Sequence, residues 1–172
     1  MTIHEAIAAR YSVRKYLDQP VEEDKLRRVL EAARLAPSAR NLQEWRSIVV
    51  RDAETRQRLV EAACGQKFVG EAPVVIAACA VTDGTAMTCG QTRYTVDVSI
   101  ALEHIALAAV AEGLGTCWVC AFHAPEAKQI LGVPDEVPIV ALMTLGYPAD
   151  EPRPKDRLPC ETIVMAERWR PG

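Results

Sequence analysis

Aromatic side chains make up only 5% of this 172-residue chain, too few to build a stacking platform for nucleic-acid bases. Basic charge is not in excess either. Twenty lysines and arginines face 23 acidic residues, for a net charge of −3, whereas proteins that bind nucleic acid or an anionic membrane wholesale carry a clear positive surplus. The opening stretch, Met1 to Ser12, lacks the basic-then-apolar order of a secretory signal. The longest apolar run, Ser99 to Gly113, is broken by Glu103 and His104 and is too short to span a bilayer. No GxGxxG follows a strand pattern, and neither GxxxxGK[ST] nor HExxH occurs. The three histidines, His4, His104 and His123, form no convincing set with Ser, Asp or Cys for nucleophilic catalysis. His104, inside an apolar helix pattern, reads as a satisfied core histidine. With no acid–base or nucleophile constellation, the chemistry falls to a cofactor.

Six cysteines (Cys64, Cys79, Cys89, Cys117, Cys120 and Cys160) in a chain without a signal read as reduced thiols of a soluble, cytoplasmic protein. Cys117-Trp118-Val119-Cys120 has the spacing of a redox pair or half a zinc site. A zinc site wants a second close ligand pair, which is missing, and a redox pair wants the mouth of a helix. The surrounding residues read as a strand, so coincidence is favoured over a thiol or metal module.

The length and the 49% hydrophobic content suit a single domain spanning 1–172. Thr2 and Glu5 form a capping box that opens a first helix with Ile3, Ala6 and Ile7 on one face. Leu26, Val29, Leu30 and Ala33 mark a second helix after Pro20, stopped by Pro37. Ser47 to Val50 is a short strand, Asp52 caps a helix carrying Leu59 and Val60, and Val74 to Cys79 is a strand buried on both faces. Residues 83–91 read as loop. The longest helix runs from about Thr92 to Glu112, apolar almost all round in its second half and therefore expected to be central and fully buried. Gly113 and Gly115 are expected to end it by a left-handed exit. A strand through Val119, a helix near Pro125 to Leu131 and a strand from Ile139 to Leu145 follow. The class is α+β, an α/β sandwich with the sheet between helices. The tail, 146–172, is rich in proline and charge and poor in apolar residues, which suits packing on a partner subunit.

Three clusters stand out. In Arg10-Tyr11-Ser12-Val13-Arg14, an extended backbone after Tyr11 puts Ser12 and Arg14 on one side, and two guanidiniums with a hydroxyl suit a phosphate. In the tail, Arg153, Lys155 and Arg157 alternate, so all three can face one anion. Between them lies Ala36-Pro37-Ser38-Ala39-Arg40-Asn41-Leu42-Gln43-Glu44-Trp45, a loop of small and amide-bearing residues able to approach a ligand closely, with Asn41 and Gln43 available to a heterocycle edge. Taken singly, each has a bland reading that outweighs the functional one: a solvated face, a soluble tail, an ordinary helix stop. Spacing alone cannot connect the first cluster to the second.

Taken in order, the clusters resemble the nitroreductase family of FMN enzymes. The likeness runs from Ile7-Ala8-Ala9-Arg10-Tyr11-Ser12-Val13-Arg14 through the Pro37 loop, Gly65-Gln66-Lys67-Phe68, Glu71-Ala72-Pro73-Val74-Val75-Ile76 and Asp97-Val98-Ser99-Ile100-Ala101. It continues through Gly113-Leu114-Gly115-Thr116-Cys117-Trp118-Val119 to Gly146-Tyr147-Pro148 and Lys155-Asp156-Arg157. The resemblance implies a nitroreductase-like mixed sheet flanked by helices, in an intertwined homodimer with FMN at the subunit interface. Arg10, Tyr11, Ser12 and Arg14, with Lys155 and Arg157, would hold the phosphate end of the cofactor. Pro37, Ser38, Asn41 and Gln43 would come from the other subunit, and Gln66 and Lys67 would sit near the pyrimidine edge. Trp118, Val119, Cys120 and Ala121 would run beside the ring. The implied activity is ping-pong two-electron reduction of a small acceptor, such as a nitroaromatic or a quinone, with NADH or NADPH as donor. An FMN protein with another redox role (ring oxidation, dehalogenation or flavin sensing) is the alternative. Cys120 stands where small members often have glycine, and Glu44 where proline commonly follows the glutamine. The long helical insertions of larger members are missing.

Overall fold

Residues 1–169 are described by the computed structural model of the chain; the last three residues of the expected tail lie outside them. All seven residues of β2 (Val74–Ala80) are buried. Successive strand side chains point to opposite faces, so Val74, Ile76, Ala78 and Ala80 join one core while Val75, Ala77 and Cys79 join the other. β2 pairs antiparallel with β1 (Trp45–Val50) and with β4 (Ile139–Gly146), and β4 pairs antiparallel with β3 (Gly115–Val119). The order is β1-β2-β4-β3. Pairing among the four strands is antiparallel throughout; the parallel component of the expected mixed sheet is a single bridge between Ser12 and Thr116.

Helices cover both faces. On one lie α1 (Ile3–Ala9), α2 (Glu23–Arg34) and α5 (Arg93–Ala111); on the other lie α3 (Ala53–Ala62), the single-turn α4 (Phe68–Glu71) and α6 (Ala124–Leu131). The local signals that start these helices are in place. Thr2 and Glu5 exchange the two hydrogen bonds of the capping box, at 2.6 and 3.2 Å, and Asp52 accepts the Thr55 N–H at 2.8 Å. A three-residue 3-10 turn (Ala39–Asn41) and a last short helix, α7 (Cys160–Ile163), complete the chain. Neither is long enough to show a periodic apolar pattern.

Two expectations need correction. The long helix is not buried all round: Val98, Ala101, Leu102, Ile105, Ala106 and Ala109 face the core, but Val96 is exposed and Ile100, Leu107 and Val110 remain partly so. One side packs on α2 and the sheet, and the other is only partly covered among the described residues. Ile3 and Ile7 of α1 are likewise more than half exposed. The second correction concerns the glycines. Of Gly113 and Gly115, only Gly113 takes a left-handed backbone, with φ of 74°. Gly115 opens β3, where an added Cβ would collide with the Val13 side chain and lie 2.9 Å from Pro148. It is small because the N-terminal segment passes against it.

A buried ion pair closes the far end of the sheet. Arg93, at the start of α5, donates from Nε and Nη2 to the two carboxylate oxygens of Glu44 at 3.0 and 2.8 Å, and Nη2 also reaches Asp83 at 2.8 Å. Glu44 is 6% and Arg93 9% exposed. The guanidinium hydrogen bonds hold the Glu44 carboxyl below the ordinary glutamate value.

Gly115→Ala is expected to destabilise the fold by about 1–3 kcal/mol, the usual cost of forcing a methyl into a filled space, as read by urea denaturation. The Glu44–Arg93 pair also sets a pH dependence. Because the folded-state pKa is lowered, its stabilisation is present above the ordinary glutamate value near 4.5 and is lost as pH falls through the lowered one. Glu44→Gln should therefore be less stable than wild type at neutral pH, and the gap should narrow on acidification; a gap that is constant from neutral to acid pH would contradict the pairing.

Candidate functional site

The backbone leaves α1 at Arg10 in an extended conformation. It then docks on the edge of the sheet: Ser12 bridges Thr116, and the Val13 N–H donates to the Thr116 carbonyl at 3.0 Å. Val13 is fully buried, so alternation turns Ser12 and Arg14 the other way. Tyr16 locks the segment from beneath. Its hydroxyl donates to the Val13 carbonyl at 3.0 Å and shares a 2.6 Å hydrogen bond with Thr144. Burial pushes its phenol far above the ordinary range, so it stays protonated.

The chain returns alongside this segment after β4. Leu17 N–H donates to Tyr147 and Ala149 N–H to Lys15, each at 2.9 Å. Asp150 then makes the closing contacts: its carboxylate accepts the Arg14 N–H at 3.1 Å, and its carbonyl accepts the Tyr11 hydroxyl at 2.7 Å. Desolvation first, then the neighbouring Asp150 carboxylate, raises the Tyr11 pKa, so this phenol too is a neutral donor.

Between the two chain ends lies a cleft of about 430 Å³, lined by Arg10, Tyr11, Ser12 and Arg14 from one side and by Asp150, Glu151, Arg153, Pro154, Lys155 and Arg157 from the other. The basic residues of both clusters thus converge on one space. Asp150 and Glu151 were not singled out in the sequence, where an acidic pair ahead of a basic tail carries no signal of its own. Among the described residues Arg14, Arg153 and Arg157 form no salt bridge, and Arg10 has only Glu103 at 4.0 Å. Arg14 lies over the Phe68 ring at 6.0 Å, and Arg157 bonds only the neighbouring Asp156 carbonyl. Lys155 is committed differently: its ammonium donates to the carbonyls of Ile7 and Ala8, which end α1.

The next expected residues, 66–67 and 118–121, are not among those that line the cleft. Gln66, in the turn before α4, donates from its amide to Ala63 at 2.9 Å and to Ala121 at 3.0 Å; Lys67 beside it is exposed. Val119 is buried, Trp118 is half-buried against the α2–α5 side of the core, and Cys120 and Ala121 are exposed just past the end of β3. The Cys117–Cys120 pair is divided by the strand. Cys117 is 1% exposed in the opposite core, where burial pushes its thiol up, while Cys120 faces outward. A buried, protonated thiol is a poor nucleophile and a poor ligand, and among the described residues no group of three or more His, Cys, Asp or Glu side chains gathers to hold a metal.

Pro37, Ser38, Asn41 and Gln43 are elsewhere. Their loop does not line the cleft. It sits at the N-terminal end of α5, where the Ala39 N–H donates to both carboxylate oxygens of Asp97 at 3.1 and 3.2 Å. Ser38 accepts the Gln43 N–H at 3.0 Å, and Gln43 donates to the Asn41 carbonyl at 3.1 Å. Three residues, Arg40, Asn41 and Gln43, are left-handed without being glycine.

Comparison with known proteins identifies the family and the fold. The family model described as the nitroreductase family matches residues 7–67 and 61–147. An NADH dehydrogenase of Thermus thermophilus is 38% identical, with 96% of this chain and 94% of that protein covered. The crystal structure of a nitroreductase family protein from Clostridium difficile superposes with a TM-score of 0.89 at 32% identity, covering 98% of this chain and all of the other. The NADPH:FMN oxidoreductase of Vibrio harveyi, solved with NAD+, gives a TM-score of 0.90 at 26% identity, covering 98% of this chain and 78% of that one. With the family model matching most of the chain and relatives this similar over nearly its whole length, this chain belongs to the nitroreductase family.

Proposed function

We propose that the cleft between the chain ends holds the phosphate of FMN, and that the chain works as a homodimer reducing small acceptors such as nitroaromatics or quinones in a ping-pong cycle. The broader activity, flavin-dependent oxidation of NAD(P)H, rests on family membership and on relatives named as NADH dehydrogenase and NADPH:FMN oxidoreductase. The observation that carries the finer reading is the convergence of Arg10, Arg14, Arg153 and Arg157 on one space, where among the described residues only Arg10 has a carboxylate in salt-bridge range, Glu103 at 4.0 Å.

The residues present fit the group. A phosphate monoester is a dianion that wants fixed donors and positive charge. Arg10, Arg14 and Arg157 offer guanidiniums, and Ser12 a hydroxyl. Of the two carboxylates that line the cleft, Asp150 and Glu151, Asp150 is occupied by the Arg14 N–H, which limits its repulsion of an anion. Gln66 is oriented by Ala63 and Ala121, so the 66–67 turn and the 120–121 backbone form one flank for the ring system. The exposed Lys67 can add positive charge there. Lys155, bonded to the end of α1, reaches a phosphate only by exchanging carbonyl partners for it, a trade that charge favours. Bound FMN supplies the two-electron chemistry between NAD(P)H and the acceptor; the protein orients and shields it.

The second copy is needed because this chain leaves its Pro37–Gln43 loop away from the cleft and two apolar surfaces uncovered. One is the outer side of α5 with Ile3 and Ile7; the other is the tail, where Leu158, Ile163, Val164 and Trp169 are each more than 60% exposed. Contiguous apolar exposure of this kind marks an interface. We take residues 1–172 as one domain whose tail from 146 packs on the second copy, and six free thiols suit a reducing cytoplasm.

The purified protein is expected to be yellow, dimeric in solution, and to oxidise NAD(P)H when a quinone or nitro compound is supplied. Arg14→Ala combined with Arg157→Ala should release the flavin on dialysis while circular dichroism stays native; full retention of the flavin would show the phosphate to lie elsewhere. Cys120→Gly should keep its flavin, since the thiol is free and exposed; loss of colour would give it a role that its exposed position does not suggest.

A further inference from the structure

The loop from Pro37 to Gln43 has a conformation that its own residues do not favour. Arg40, Asn41 and Gln43 have φ values of 52°, 57° and 50°, a region that side chains with a Cβ enter only under constraint. The loop's internal hydrogen bonds, Ser38 with Gln43 and Gln43 with Asn41, are solvent-exposed and too weak to impose such a shape. The constraint comes from α5. Near its start, Asp97 takes the Ala39 N–H between both carboxylate oxygens; just past its end, Glu44 is held by the fork of Arg93. Arg93 and Asp97 are four residues apart, so they stand on one face of a rigid helix. Glu44, Arg93 and Asp97 are all 9% exposed or less, where charge-assisted hydrogen bonds are strong and directional.

The same guanidinium reaches further. Asp83, which Arg93 also binds, caps a turn through the Thr85 N–H at 2.9 Å, so the segment following β2 is fastened at the same point. The loop that leads into β1 and the segment that leaves β2 are thus tied to one helical end.

We propose that the first two turns of α5 are a clamp that positions the Pro37–Gln43 loop for its contact with the flavin across the dimer, with Asp97, Arg93 and Glu44 as positioning residues. The inference rests on the flavin reading above. These residues touch neither cofactor nor substrate; they act through the backbone of the loop. Glu44 matters in particular, because a proline at this point would restrict the chain covalently, whereas here an ion pair does the work.

The experiment is FMN titration of the full-length protein by flavin fluorescence, alongside hydrogen exchange of the loop amides without FMN. Asp97→Ala should raise the FMN dissociation constant about tenfold, the scale of one hydrogen bond to a charged group, and speed exchange at residues 39–43. Asp97→Asn keeps an acceptor for the Ala39 N–H and should recover most of the affinity. Val98→Ala, fully buried on the same helix, is the control for destabilisation alone: it should lower the melting temperature while leaving loop exchange and FMN affinity near wild type. If Asp97→Ala fails to fold, Glu44→Gln, which takes the charged fork partner from Arg93, carries the same expectation of weaker FMN binding and faster loop exchange. Wild-type affinity in the clamp variants, or an equal loss in Val98→Ala, overturns the clamp and leaves the flavin reading standing. A wild-type protein that takes up no FMN overturns both.

Discussion

Val13 passes so close to Gly115 that no Cβ fits between them, and its N–H is spent on the Thr116 carbonyl. This docking does three things together. It covers an edge strand that would otherwise expose unpaired backbone groups. It sets the register of the N-terminal segment, and a slip by one residue would turn Ser12 and Arg14 inward. It also provides the surface on which the returning chain, at Tyr147 to Asp150, can lie down. The cleft exists because both ends of the polypeptide meet at this edge.

Charge is distributed to match. Carboxylates near structural cations are consumed in pairs, as with Glu44 and Arg93, Glu112 and Arg28, or Glu31 and Arg34. Among the described residues, Arg14, Arg153 and Arg157 of the cleft lack such partners, and Arg10 has only Glu103 at 4.0 Å. Arginine holds its charge at any relevant pH, so guanidiniums gathered around one space attract an anion. Asp150 is the exception that supports the pattern: its carboxylate is turned to a backbone N–H and fixes the segment that carries Arg14.

Two apolar surfaces are unfinished in a different sense. α5 covers the sheet with one face and leaves partly exposed apolar side chains on the other, and the last described residues carry exposed Leu158, Ile163, Val164 and Trp169. Apolar exposure of this kind marks surfaces that bind something. The same helix holds the Pro37–Gln43 loop through Asp97 and Arg93. A dimer built on α5 would therefore join the packing of the interface to the shape of the loop through one rigid element.

Local pattern alone settled the capped starts of α1 and α3, the amphipathic α2, the doubly buried β2 and the alternation of Ser12, Val13 and Arg14. Each of these depends on residues two to four apart, the range over which backbone geometry repeats. The order of the clusters along the chain was legible too, and with it the family. Tertiary structure decided the rest. Tyr11 and Asp150 are 139 positions apart, and Glu44 and Arg93 are 49 apart; no periodicity links them, because only the packing of the sheet brings them together. The same packing gives Gly115 a steric reason in place of a turn and leaves one face of α5 open. Periodicity specifies which side of an element is apolar, whereas what covers that side is decided by everything else in the fold.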